Sequence, residues 1–233
     1  AHCLQEISGE RLLGVQLYFD ETSYRAMFEA LEDVIRAKGT RLAELREVLC
    51  GPVAAGFRQM FPVRFPWLNS SQDSAVNKVL SCRDVAIVHG PPGTGKTTTL
   101  VEAVYETLRR ENQVMVCAQS NTAVDWIAEK LLDRGVNVLR IGNPTRVNDK
   151  MLSFTYERKF ESHPAYPTLR AARASIRELS ERLKRLKGAK RESARRMLHD
   201  LRDQAIKLEI KIDAQLFGEA RVIACTLVGS ANK

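Results

Sequence analysis

The chain has 233 residues, 44% of them hydrophobic and 27% charged, a globular balance that excludes a disordered polymer and suffices for one large domain with appendages. Lys and Arg number 36 against 28 Asp and Glu, a net charge of +8 that favours a polyanionic partner. No run approaches the ~18 apolar residues of a membrane span, and the opening "AHCLQEISGE" lacks the basic head and apolar core of a secretory leader.

Residues 11–19, "RLLGVQLYF", alternate enough to form a strand. From Thr22 to Leu49 the apolar rows Met27, Leu31, Val34 and Leu42, Leu45, Leu49 have helical spacing, with Gly39 as a break and Gly51-Pro52 as the stop. Residues 57–68, "FRQMFPVRFPWL", are aromatic and interrupted by proline, which suits a packed loop. In "NSSQDSAVNKVL", Asn69 to Ser71 offer side-chain oxygens to cap a helix start.

The stretch "VAIVHGPPGTGKTTTL" follows. Gly90, Pro91, Pro92, Gly93, Thr94, Gly95, Lys96 and Thr97 fit the phosphate-loop template of two glycines, a lysine and a hydroxyl residue. Glycines let backbone N–H groups turn inward onto a phosphate. Lys96 supplies a mobile cation, the Thr97 hydroxyl is the usual protein ligand for Mg2+, and the following helix, opening with Thr97 and Thr98, aims its positive end at the same anion. Strands are expected at 85–89, 114–118, 137–141 and 221–225 and helices at 97–110 and 121–134, an alternation that implies a parallel sheet.

Between residues 166 and 216 the strand signal is absent. Leu169, Ala172, Ile176, Leu179, Leu183 and Leu186 form one heptad seam, and Ala194, Leu198, Leu201, Ala205, Leu208 and Ile212 form another, with a turn near Gly188. The expected element is an antiparallel helical hairpin inserted in the sheet domain. From Arg170 to Lys211 there are 14 Lys and Arg against 6 Asp and Glu, so the whole net charge resides there. Arg173, Arg177, Lys184, Lys187, Lys190, Arg191 and Arg195 are expected to face outward, with Lys187, Lys190 and Arg191 at the tip as contacts for a phosphate backbone.

A phosphate loop normally works with an acid that closes an apolar strand and orders the metal. "VQLYFDE", ending in Asp20-Glu21, has that look but precedes the loop and leads into a helix outside the alternation, and Thr226 to Lys233 contain no acid. The acid is therefore expected outside these residues, and turnover by the chain alone is not expected. The cysteines (Cys3, Cys50, Cys82, Cys117, Cys225) and histidines (His2, His89, His163, His199) have no metal-ligand spacing. They suit structural roles in an intracellular protein, cytoplasmic or, in a eukaryote, nuclear.

Four blocks, in order, resemble the first part of a superfamily 1B helicase of the up-frameshift and immunoglobulin-mu-binding-protein type. "LNSSQDSAV" is similar to the Q motif, which implies that Gln72 reads the adenine edge of ATP. "GPPGTGKTTT" is similar to motif I. "AQSNTAVDWIAEKL" is similar to motif Ia, which implies nucleic-acid phosphate contacts from Ser120, Asn121 and Thr122. "VIACTLVGSAN" is similar to motif Ic and implies a backbone contact from Thr226. The resemblance implies a RecA-like α/β fold: residues 1–20 the remnant of a β-barrel, 21–68 stalk helices and linker, 69–150 and 217–233 an ATP-binding domain, 151–216 the helical insertion. It implies ATP and Mg2+ as cofactors, single-stranded DNA or RNA as partner, and a Walker B acid and arginine fingers elsewhere. A phosphate-loop ATPase of AAA or transporter type, and a non-catalytic nucleotide- and nucleic-acid-binding module, stay open at this point.

Overall fold

The structure is a computed structural model that describes residues 22–231. The expected strand at 11–19 and the pair Asp20-Glu21 lie outside the described residues. The chain forms two compact units, residues 1–46 and 47–233.

In the first unit, α1 (Thr22–Arg36) is followed by the start of α2, which runs Arg41–Cys50 across the boundary at residue 46. The break expected at Gly39 is there: its φ of 62° is left-handed and ends the helical path. The Arg46 guanidinium donates to the free carbonyls of Val34, Ile35 and Ala37 at the end of α1.

The second unit is an α/β domain. Its helices and strands run α3 (Ser70–Ser81), α4 (Lys96–Thr107), β1 (Val114–Ala118), α5 (Asn121–Leu132), β2 (Val138–Arg140), α6 (Tyr156–Ser162), α7 (Tyr166–Leu183), α8 (Gly188–Glu219) and β3 (Val222–Thr226). The sheet is parallel, in the order β1-β3-β2. The last strand thus enters between the two earlier ones, and its Val222, Ala224 and Cys225 are inaccessible or nearly so. Val101 and Val104 of α4, Leu108 just after it, and Val124, Ile127 and Leu131 of α5 pack with Val116, Val138 and Val222 to form the main core. A second cluster seats Phe65 of the 57–68 loop on Val76 and Leu80 of α3 and Ala103 of α4.

One expected strand is absent. Residues 85–89 pair with no described strand and make no backbone hydrogen bond among the described residues. Ile87 is 84% exposed. An apolar, β-branched run becomes a strand only alongside a ladder partner, and the three described strands pair only with one another.

The helical hairpin forms as expected. Residues 184–187 join α7 to α8, and Gly188 takes a left-handed φ of 60° at the turn. Leu169, Ala194, Leu198, Ala205 and Ile212 of the two seams are buried. Its root is tied down by polar contacts: Tyr156 donates to Asp213, His163 Nε2 meets Gln215, and Gln113 donates to the Phe217 and Ala220 carbonyls at the exit of α8. Burial and the Asp213 carboxylate raise the Tyr156 pKa, so its hydroxyl stays a donor. No helix among the described residues is long and apolar enough to cross a membrane.

Candidate nucleotide and nucleic-acid sites

The phosphate loop is shaped by contacts of short range. Gly95 precedes α4 with a φ of 76°, left-handed backbone that favours glycine, and a Cβ there would lie 2.6 Å from Gln72 Nε2, the movable end of that side chain. The Thr94 hydroxyl donates to the Pro91 carbonyl at 2.8 Å. The Lys96 ammonium donates to the Gly90 and Pro91 carbonyls and is held over the loop while staying exposed. The backbone N–H groups from Gly93 to Thr98 make no hydrogen bond among the described residues. Six consecutive donors at a helix N-terminus, beside a mobile cation, form a cradle for a polyanion. The Thr97 hydroxyl likewise has no partner among the described residues and can ligate a cation.

Gln72 stands at the third position of α3. Asn69 caps that helix by accepting from Gln72 N at 2.9 Å, and Gln72 Oε1 accepts from Asn69 N at 3.1 Å, a complete capping box. Gln72 Nε2 donates to the Thr94 carbonyl at 3.1 Å, which sets the side chain beside the loop. Both ends of its amide have protein partners, with one N–H and one lone pair left for a further ligand.

The remaining expected contacts separate into two groups. Ser120 caps α5, accepting from Ala123 N at 3.2 Å, and Asn121 and Thr122 open that helix. β1 and β3 pair in register, Ala118 opposite Thr226, so Ser120, Asn121, Thr122 and Thr226 share the carboxyl edge of the sheet. That is the edge on which parallel α/β sheets bind ligands. The Thr226 hydroxyl accepts from Gly229 N, which closes its loop. Lys187, Lys190 and Arg191 lie instead at the far end of the hairpin, exposed. α8 has 32 residues, about 48 Å of helix at ~1.5 Å per residue, so the tip is not gathered with the sheet edge. Of the hairpin cations expected to face outward, Arg173 bridges to Glu209 across the two helices and Lys184 to Glu181.

Sequence reasoning missed the support beneath Asn121. Arg140, the last residue of β2, is completely buried. It donates to Asp125 Oδ1 at 2.7 Å, to Asn121 Oδ1 at 2.8 Å and to the Ile141 carbonyl. A charged residue ending the short apolar strand "VLR" was the available signal. It also missed the pairing of Cys117 with Cys225, free thiols with Sγ atoms 3.6 Å apart on adjacent strands. Burial and the Cys117 neighbour push the Cys225 thiol up to about 11. Among the described residues no group of three His, Cys, Asp or Glu could hold a metal ion.

Comparison with known proteins gives the family. Residues 67–233 match a family described as an AAA domain. A DNA polymerase alpha-associated DNA helicase A of Schizosaccharomyces pombe is 32% identical over 167 residues, covering 71% of this chain and 25% of that protein. An uncharacterised ATP-dependent helicase of Methanocaldococcus jannaschii is 34% identical over 172 residues, 72% of this chain and 26% of that protein. Regulator of nonsense transcripts 1 of Caenorhabditis elegans is 29% identical over 237 residues, 94% of this chain and 20% of that protein. The chain spans about a quarter of the length of the first two. With the phosphate loop, the capping-box glutamine, the sheet edge and the inserted hairpin in the expected order, the chain belongs to this AAA-domain family, among the superfamily 1B helicases.

Proposed function

We propose that this chain is the ATP-binding part of an ATP-dependent helicase or translocase acting on single-stranded DNA or RNA. The observation that carries the reading is the row of unpartnered N–H groups from Gly93 to Thr98 beneath the exposed Lys96 ammonium. The donor set fits a nucleotide triphosphate: Gly90, Pro91, Pro92, Gly93, Thr94 and Gly95 shape the loop, Lys96 faces the outer phosphates and Thr98 extends the helix start. Thr97 fits Mg2+ as one oxygen ligand, the phosphates and water completing the shell of a cation that takes few protein ligands. Mg2+ held there would neutralise charge developing on the transferred phosphoryl group. The part of this chain's residues is to bind, orient and supply positive charge through Lys96.

Gln72 orients the base through the N–H and lone pair that its capping contacts leave over. Ser120, Asn121, Thr122 and Thr226 hold the strand at the sheet edge. Lys187, Lys190 and Arg191 grip phosphates at a distance, without reading sequence. In domain terms, residues 69–150 and 217–233 form the ATP-binding domain, 151–216 its insertion, 21–68 the stalk and linker, and 1–20 the end of a preceding barrel.

The test is ATP hydrolysis by the protein in its full natural length, with and without single-stranded nucleic acid. Stimulation by the strand, lost on Lys96→Ala, is the expected result. Hydrolysis indifferent to nucleic acid would favour an ATPase acting on protein or solute.

A further inference from the structure

We propose that Arg140 is a positioning residue for the nucleic-acid edge: it fixes the Asn121 side-chain amide so that its NH2 group, and not its oxygen, faces an incoming phosphate. The inference rests on the reading of that edge as a nucleic-acid contact and adds the residue that sets its polarity.

A guanidinium carries donors only. The Asn121 atom 2.8 Å from Arg140 Nη2 is therefore the amide oxygen. Nδ2 then points the other way. It makes no hydrogen bond among the described residues, and it is not among their buried polar atoms left without a partner, so it reaches solvent. A free asparagine amide can present either end by rotating about its last torsion. Here the buried cation removes that choice, and what remains outside is a pair of donors, the polarity a phosphodiester requires.

Arg140 cannot follow the amide outward, because every arm of its guanidinium is held. Nε bonds Asp125 Oδ1, and Asp125 is itself 2% exposed. Nη1 bonds the Ile141 carbonyl. Gly142 closes over the same group: with φ at 149°, a Cβ there would stand 2.9 Å from Nη1. The second Asp125 oxygen accepts from Asn148 N at 3.0 Å, and the Asn148 side chain caps the turn at Asp149–Phe154 that leads into the hairpin. One buried ion pair thus anchors the first residue of α5 and the start of the insertion.

The decisive variant is Asn121→Asp in the full-length protein. It retains an oxygen for Arg140 and replaces the outward NH2 by a carboxylate oxygen. The expected result is an unfolding midpoint equal to or above wild type, unchanged ATP affinity, and single-strand affinity about tenfold lower or worse at low salt, the range for a lost hydrogen bond to a charged group. Arg140→Lys keeps a cation for Asp125 but loses the fork that reaches Asn121. It should weaken strand binding in the wild-type background and have no further effect on strand binding once Asn121 is alanine, which a purely structural role would not produce. Asn121→Asp that folds and binds single strands like wild type overturns the proposal. So does Arg140→Lys with wild-type strand affinity. If the wild-type protein binds no single strand at any salt concentration, the nucleic-acid reading of the edge fails, and the inference with it.

Discussion

Two stretches of this chain follow one plan, an apolar run, a polar turn and a helix, yet they are held in different ways. In residues 85–107 the apolar run has no strand partner, and the turn is shaped by neighbours in sequence and by Gln72. In residues 114–132 the run is β1, in register with β3, and the turn is fixed from below by a buried arginine that arrives from β2. The first loop is therefore largely self-contained, with a geometry that comes from its glycines, its own carbonyls and one bond from Gln72. The second is a product of the tertiary fold and changes when distant packing changes. A phosphate loop that binds nucleotide in many protein contexts needs the first kind of support. An edge that must keep one polarity toward a strand needs the second.

The comparison is broken most severely at Asp125. Asp125→Ala leaves Arg140 buried without its carboxylate, which should cost about 3–5 kcal/mol. Denaturant unfolding of the 233-residue chain should show this as a lower midpoint, and an effect within error of zero would mean that the pair is not buried. A matched pair of strand substitutions sharpens the contrast. Leu139→Ala in β2, where Leu139 is fully buried, should cost about 2–5 kcal/mol. Ile87→Ala should stay within about 0.5 kcal/mol in the same chain. Equal losses would show that residues 85–89 are packed as a strand after all.

The different supports explain what is legible in the sequence. The phosphate loop is legible because its requirements are local: spacing, glycines, lysine, hydroxyl. The capping of α3 by Asn69 and the seams of the hairpin are legible for the same reason, since i,i+3 contacts and heptads are periodic in sequence. The strand expected at 85–89 fails because a β-branched run reports propensity, whereas a strand requires a partner that no short window contains. Arg140 is hard to find in sequence because its role depends on residues 15 and 19 positions away, Asp125 and Asn121, meeting at the end of a strand. The meeting of Cys117 with Cys225 across 108 positions is beyond any local signal.

Smaller effects test the outlying parts. Gln72→Ala loses its half of the capping box and its bond to Thr94. It should weaken ATP more than GTP, by about 1–3 kcal/mol in nucleotide titrations, if the remaining amide groups read the base. Equal loss for both would make Gln72 purely structural. Alanine at Lys187, Lys190 and Arg191 together should lower the slope of log affinity against log salt for single strands, by about 0.7 for each phosphate that is no longer neutralised. A slope like that of wild type would assign the tip to another partner. Cys225 gives the smallest signal. Its folded thiol pKa lies above the ordinary 9.0, at about 11, so its contribution to stability is complete below pH ~9 and is lost as pH rises toward ~11. A Cys225→Ser variant should flatten that part of the stability profile.

The most direct test is equilibrium binding of ATP with Mg2+ to the 233-residue chain and to its Lys96→Ala variant, with unfolding midpoints recorded in parallel. A self-contained phosphate loop predicts that the wild-type chain binds and that the variant binds at least ~tenfold more weakly, the cost of losing a hydrogen bond to a charged group. Its unfolding midpoint should be unchanged, because Lys96 is exposed and bonds only carbonyls of its own loop. Equal affinity for ATP in the two chains would contradict the account at its centre.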